Sequence, residues 1–263
     1  MKHDRRTAGA DDGLRVDDVT VRFGGSKALD NASFHAPPGR ITGLIGPNGA
    51  GKTTTFNVCS GLLRAAAGRV HLFGGDITGR PPAARAQLGL GRTFQRMDLF
   101  DSLTVEQNVA LGLEARLARS HPLRQLFGSQ TERHAVREAA EYALGLCGLQ
   151  SLRDTVAGSL STGQRRLVDL GRVIAGGFTM LLLDEPSSGL DSAETEQFGR
   201  IVREYVDQRG CGVLLVEHDM ALVMTVCDYI YVLDFGKLIF EGTPEQVRNS
   251  PVVRAAYLGS EAA

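Results

Sequence analysis

Gly46-Pro47-Asn48-Gly49-Ala50-Gly51-Lys52-Thr53-Thr54 follows the apolar run Ile41-Thr42-Gly43-Leu44-Ile45, and its reading decides the fold. Gly46, Gly51, Lys52 and Thr53 occupy the fixed places of the Walker A pattern, G-x-x-x-x-G-K-[ST]. Glycines at Gly46, Gly49 and Gly51 let the backbone take positive φ and wrap its N–H groups around a polyphosphate, where a Cβ would collide; Asn48 and Ala50 complete the loop. The loop then opens a helix, expected over Lys52 to Gly61, whose N-terminal dipole favours the same anion. Lys52 is placed to neutralise the β- and γ-phosphates, the Thr53 hydroxyl to ligate Mg²⁺, and Thr54 to add a donor. A plain glycine-rich turn could match this pattern in a chain with 32 glycines, so the preceding strand and following helix carry weight.

Composition bounds the rest. With 263 residues and 43% hydrophobic content the chain can bury one large core or two modest lobes. The net charge of -1 gives no broad basic face for nucleic acid. Cys59, Cys147, Cys211 and Cys227 are far apart and show no metal-ligand spacing, so they read as free thiols of a reducing cytosol. Residues Met1 to Asp12 are polar, lack the apolar stretch of a signal peptide, and are expected to form a disordered tail. Apolar runs such as Met180 to Leu183 and Val213 to Val216 are far short of the roughly 20 residues that span a bilayer.

Leu14 to Phe23 and Ala28 to Ala36 read as strands of an N-terminal β layer, ahead of the strand into the Walker A loop. Gly68 to Phe73 and Gly91 to Phe94 read as further strands, separated by a loop over Gly74 to Pro82. From Thr104 the period changes. Val105 to Leu117 carries Val109, Leu113 and Leu117 on one helical face, and Thr131 to Leu146 carries Ala135, Ala139, Tyr142 and Leu146. A helical lobe over about 97 to 176 is therefore expected within an α/β core, the whole of 13 to 263 forming one domain. The α/β alternation then resumes through Met180 to Asp184, Ala193 to Val206, Cys211 to Glu217 and Asp219 to Val226.

Met180 to Leu183 ends in Asp184-Glu185-Pro186. An apolar run of this kind is buried on both faces, as in a parallel sheet, and delivers two carboxylates to the C-terminal edge where ligands bind. Asp184 suits orientation of Mg²⁺ together with Thr53, and Glu185 suits general-base activation of water beside the γ-phosphate. Leu160-Ser161-Thr162-Gly163-Gln164 opens another helix; Ser161 is a natural N-cap, and with the Gly163 backbone it forms a second anion site. That site serves either the chain's own nucleotide or the nucleotide of another copy.

The Walker A loop, LSTGQ, LLLDEP and the later VEHDM, in this order, resemble the nucleotide-binding ATPase subunit of ABC transporters from about Leu14 to Gly259. The resemblance implies an α/β P-loop ABC ATPase core with an N-terminal antiparallel β layer and an inserted helical subdomain. It also implies ATP and Mg²⁺ as cofactors, and a head-to-tail dimer in which Ser161, Gly163 and Gln164 act in trans. Gln95 of RTFQ matches the glutamine that contacts Mg²⁺ and links core to lobe, Asp191 of SSGLD matches the interface-crossing loop, and His218 matches the histidine that contacts the γ-phosphate. Phe23 falls where an aromatic ring stacks on adenine, although tyrosine is commoner there. Thr162 departs from the usual glycine, at a position that varies in the family.

RTFQ, EHDM, GTPEQVRN and AAYLG more closely resemble one ATPase of the branched-chain amino acid importers, a pattern shared with urea and amide importers and with lipopolysaccharide export. The partners this implies are transmembrane permeases, a second ABC ATPase, identical or different, and a solute-binding protein, with the chain peripheral at the cytoplasmic face of the membrane and no nucleic acid bound. No C-terminal regulatory domain is expected. Docking is expected near Arg96 to Leu103, where Met97, Leu99 and Phe100 are apolar. Lipid export is the rival among transporters. A soluble mechanochemical ABC ATPase is the rival outside them, against which stand the single cassette and the short interval between Gln95 and Leu160.

Overall fold

The computed structural model describes residues 13–93, 98–118 and 129–258. Strands β1 (Leu14–Phe23) and β2 (Ser26–Ala36) form a hairpin, and β3 (Ile41–Ile45) runs from it into helix α1 (Lys52–Ser60). β4 (Ala67–Leu72) and β5 (Gly75–Asp76) return to the hairpin, giving an antiparallel layer in the order β2-β1-β4-β5. Helix α2 (Pro82–Gln87) and β6 (Leu90–Arg92) lead to the longer helices α3 (Val105–Ala118), α4 (Gln130–Leu146) and α5 (Thr162–Ala175). The alternation resumes with β7 (Met180–Asp184), α6 (Ser192–Arg209), β8 (Gly212–Val216) and α7 (Met220–Val226). Hairpin β9 (Tyr229–Asp234) and β10 (Lys237–Gly242) precede α8 (Pro244–Asn249) and α9 (Pro251–Leu258).

The second sheet has the order β10-β9-β3-β8-β7-β6, parallel throughout except for the antiparallel edge strand β10. Its strands β3, β7 and β8 are fully buried, and the two-residue period divides β7 and β8 between two cores. Leu181, Leu183, Val213 and Leu215 face a core shared with the long helices. Met180, Leu182, Leu214 and Val216 face the antiparallel layer and α1. Parallel strands end on one edge of a sheet. The residues that follow β3, β6, β7 and β8, namely Gly46, Thr93, Glu185 and Glu217, are gathered there.

Helices α3, α4 and α5 pack on one another and on the first of those cores. Their N-termini are signalled locally. Thr104 and Gln107 exchange side-chain-to-backbone hydrogen bonds at 2.9 and 3.2 Å, and Ser129 with Glu132 repeats the arrangement at the start of α4. The α4 stripe differs from the sequence expectation. Ala140, Ala143, Leu144 and Cys147 are the buried positions, whereas Ala135, Ala139, Tyr142 and Leu146 are half-buried. The helix is rotated because Tyr142 is drawn to α6, where its hydroxyl donates to Gln208 at 2.7 Å and its ring lies under Arg209. All four cysteines are free and buried, and burial pushes the Cys59, Cys147 and Cys211 thiols up to about 12.

Helix α2 is a correction to the sequence reading, which stopped at a loop ending in Pro82. Proline at the first helical position nucleates the helix, and Arg85 makes it structural. Its buried guanidinium donates to the Val58 and Cys59 carbonyls at the end of α1, both at 2.7 Å, and to Arg80 O and Thr78 O at 2.9 and 3.0 Å. A cation thus sits on the negative end of the helix that the Walker A loop begins. Replacing Arg85 by Met is expected to cost about 3 kcal/mol of unfolding free energy, since charged hydrogen bonds to buried carbonyls are lost. Urea denaturation measures it; a change under about 0.5 kcal/mol would show that this cap contributes nothing.

Candidate functional site

Each glycine of the Walker A loop is required for its own reason. At Gly46 a Cβ would lie 2.0 Å from the Leu233 carbonyl oxygen, and at Gly51, where φ is 107°, it would lie 2.6 Å from the Ala28 carbonyl oxygen. The loop is therefore pressed against β9 and β2. Gly49, at φ 81°, has open space where its Cβ would stand, so only its conformation asks for glycine. Gly236 N–H donates to Ala50 O at 2.9 Å and pins the loop from the β9–β10 turn.

Lys52 is 7% exposed, and its ammonium donates to Gly46 O at 2.6 Å and Pro47 O at 3.0 Å. Burial lowers its pKa, opposed by the nearby carboxylates of Glu185 and Asp184. The start of α1 contrasts with those of four other helices. Capping boxes close α4, α5, α6 and α8, while the Gly51 N-cap of α1 carries no side-chain hydrogen bond and the first turn no acidic residue. An uncapped helix start beside a buried ammonium fits a polyphosphate. Asn48 and Thr53 are exposed at its mouth, Thr54 is half-buried and Ala50 buried.

Asp184 ends β7 with its carboxylate buried, and desolvation raises its pKa against the pull of Arg92. Glu185 takes a left-handed backbone, φ 47°, which costs a non-glycine residue on the order of 1 kcal/mol. Its N–H donates to Val216 O at 2.9 Å, which ties β7 to the end of β8. The buried Asp184 carboxylate acts on the Lys52 ammonium, the residue before the exposed Thr53, and such a carboxylate fits Mg²⁺ held chiefly by phosphate and water oxygens. Among the described residues no cluster of three His, Cys, Asp or Glu side chains forms a protein-only metal cage.

His218 is largely exposed beside this edge, and its backbone is fixed by a residue that the sequence reading passed over. Glu217 is fully buried; one carboxylate oxygen accepts from Ser187 N–H at 2.7 Å and the other from His218 and Asp219 N–H at 3.0 and 3.3 Å. One side chain thus joins the segment after β7 to the segment after β8. The cue for it was present, since a glutamate directly after a buried strand needs N–H partners.

Ser161 accepts from Gln164 N–H at 3.2 Å, and Gln164 returns the bond to Ser161 N–H at 3.0 Å, so both begin α5 as a capping box. A Cβ at Gly163 would lie 2.0 Å from Glu194 Oε1, and Asp191 caps α6 by accepting from Glu194 N–H at 2.8 Å. Ser161, Gly163, Gln164 and Asp191 therefore form one cluster. Ala28, Leu233, Gly236, Glu185 and Asp184 are among the neighbours of the Walker A loop. Phe23 is 57% exposed at the Gly24-Gly25 turn, a surface ring and no part of the core. Gln95, together with Arg96 and Met97, lies outside the described residues.

A cleft of about 570 Å³ opens beside β6, lined by Leu62, Ala83, Arg92, Phe100, Leu111 and Phe178. Phe100 is 57% exposed, while Leu99 packs onto the helical core, so only part of the apolar loop faces outward. Asn108, fully buried, shapes this loop by donating to the Phe100 and Thr104 carbonyls at 3.1 and 3.0 Å and accepting from Phe100 N–H at 2.9 Å.

Comparison with known proteins follows the same lines. A family profile described as ABC transporter matches residues 29–188, and one described as Branched-chain amino acid ATP-binding cassette transporter matches residues 237–263. The high-affinity branched-chain amino acid transport ATP-binding protein BraF of Pseudomonas aeruginosa is 37% identical, covering 94% of this chain and 97% of its own. The lipopolysaccharide export system ATP-binding protein LptB of Haemophilus influenzae is 34% identical, covering 94% and 98%. Among solved structures the ADP conformation of MJ1267, an ATP-binding cassette of an ABC transporter, superposes with a TM-score of 0.81 at 34% identity, covering 94% of this chain and 98% of that one.

The crowding at Gly51 gives a test. Gly51→Ala is expected to lower stability by about 3 kcal/mol, whereas Gly49→Ala costs only backbone strain of about 1 kcal/mol. Equal losses in chemical denaturation would show that contact with β2 does not dictate the glycine.

Proposed function

Because the chain belongs to the ABC transporter family and is an ATP-hydrolysing cassette, we propose that it powers import of branched-chain amino acids or a similar small polar solute. The observation that carries this reading is the match of residues 237–263 to the branched-chain amino acid cassette profile, joined to the likeness to BraF. In this reading it is a subunit at the cytoplasmic face of a membrane. No described helix is long and apolar enough to cross one, so permease subunits supply the pathway, and a solute-binding protein supplies the solute. A helical lobe of about 97–176, with Phe100 at its cleft, receives a permease segment.

ATP lies along the loop from Gly46 to Thr54 with Phe23 against its base. Bound Mg²⁺ supplies the charge that neutralises the terminal phosphates, and Thr53, Asp184 and Gln95 are the residues that would hold it. Lys52 exchanges its carbonyl partners for phosphate oxygens. Glu185 takes the proton of the attacking water, and His218, its backbone fixed by Glu217, keeps that geometry. Ser161, Gly163, Gln164 and Asp191, clustered at the starts of α5 and α6, complete the site of a second cassette. The likeness to LptB supports an exporter as the second reading.

Glu185→Gln is expected to lower ATP turnover at least about a hundredfold while ATP-dependent dimers accumulate in size-exclusion chromatography. Unchanged turnover would remove Glu185 from the role of base. Phe100→Asp is expected to leave basal ATP hydrolysis within about twofold and to abolish recovery of permeases from detergent-solubilised membranes. Equal loss of both would place Phe100 in lobe packing. Recovery of two permeases whose reconstituted complex takes up a branched-chain amino acid favours import, and ATP-driven release of lipid favours export.

A further inference from the structure

Arg92, the last residue of β6, is nearly buried and makes contacts out of proportion to its place in the chain. One terminal nitrogen donates to Asp184 Oδ2 at 2.9 Å; the other donates to Asn57 Oδ1 at 2.9 Å and Ser60 Oγ at 2.8 Å. Side-chain exposure is 9% for Arg92 and 5% for Asp184. Asn57 and Ser60 both stand on α1, and the guanidinium also lies over the Phe56 ring, with its carbon 5.7 Å from the centroid. Next in sequence, Thr93 accepts from Asp184 N–H through its hydroxyl at 3.2 Å. The same side chain borders the cleft that holds Phe100.

A buried carboxylate must have a cation or a proton, and here an arginine forked between a helix and that carboxylate provides the cation. We propose that Arg92 is the resident counter-cation of Asp184, a positioning residue that holds the carboxylate while no divalent cation is bound and gives it up when one is. This rests on the reading of Asp184 as a Mg²⁺ ligand. Arg92 thereby lowers the affinity of Asp184 for metal, keeping the site discharged until nucleotide brings the cation. Since Arg92 lines the cleft, the release of its guanidinium is felt where the permease segment docks. Lysine would keep the charge that faces Asp184 while losing the fork to α1.

The test is Mn²⁺ binding, read by electron paramagnetic resonance, to the full chain loaded with a non-hydrolysable ATP analogue. An opposite charge at this distance shifts a carboxylate's equilibrium by about one to three powers of ten. Arg92→Gln, which keeps polar contact with Asn57 and Ser60, is accordingly expected to tighten Mn²⁺ about tenfold. Arg92→Lys is expected to stay within about twofold of the parent. In an Asp184→Asn background Arg92→Gln is expected to have no effect. If Asp184→Asn weakens Mn²⁺ but Arg92→Gln leaves it unchanged or weaker, the inference alone is overturned. If Asp184→Asn has no effect, the reading of Asp184 as a ligand fails, and the inference with it. Should Arg92→Gln not fold, nitrogen-15 resonances of the Arg92 side chain in the parent protein give the answer. They are expected to shift when Mg²⁺ is added to the analogue-loaded chain, and no response would overturn the proposal.

Discussion

The structure depends on a buried ammonium. Lys52 has almost no access to water, so its charge must be met by oxygen atoms, and the chain supplies them from the carbonyls of Gly46 and Pro47. Those carbonyls point inward only because the loop curls tightly between β9 and β2, which leaves no room for a side chain at Gly46 or Gly51. The carboxylates of Asp184 and Glu185 close the balance, delivered to the same edge by β7, a parallel strand separated from β3 by β8. Loop, strand order and acidic pair are thus parts of one electrostatic arrangement.

Around it the acidic and basic groups are matched over long sequence distances. Asp184 is met by Arg92, Glu217 by the N–H groups of Ser187 and His218, and the carbonyl end of α1 by Arg85. Each match ties one segment of the site to another. Movement of any loop that receives phosphate would therefore be transmitted through bonds to buried charge, which are costly to leave unpaired.

Local signals were legible. The Walker A loop follows β3 as read, β7 spans Met180 to Asp184 as read, and Ser161 caps its helix as read. The α/β class and the antiparallel N-terminal layer followed from strand patterning and the resemblance to ABC cassettes, and the sheet order agrees with both. Pairings that only tertiary packing creates were not legible. Nothing near Pro82 announced that Arg85 would cap a helix more than twenty residues earlier, and nothing in RTFQ announced a partner for Arg92 on β7. The rotation of α4 has the same origin, because Tyr142 answers to Gln208 and Arg209 and not to the period of its own helix. The proposed roles of Ser161 and Asp191 beyond capping call for a second chain, which no single sequence specifies.

In the proposed function the Lys52 ammonium holds the loop in readiness and exchanges its carbonyl partners for the terminal phosphates of ATP. Calorimetric titration of a folded Lys52→Met chain with ATP and with ADP tests it most directly. The methionine fills the same buried stem without the charge, so the account predicts ATP affinity lower by at least about a hundredfold and ADP affinity lowered less. Unaltered affinity for ATP in a folded Lys52→Met chain would contradict it.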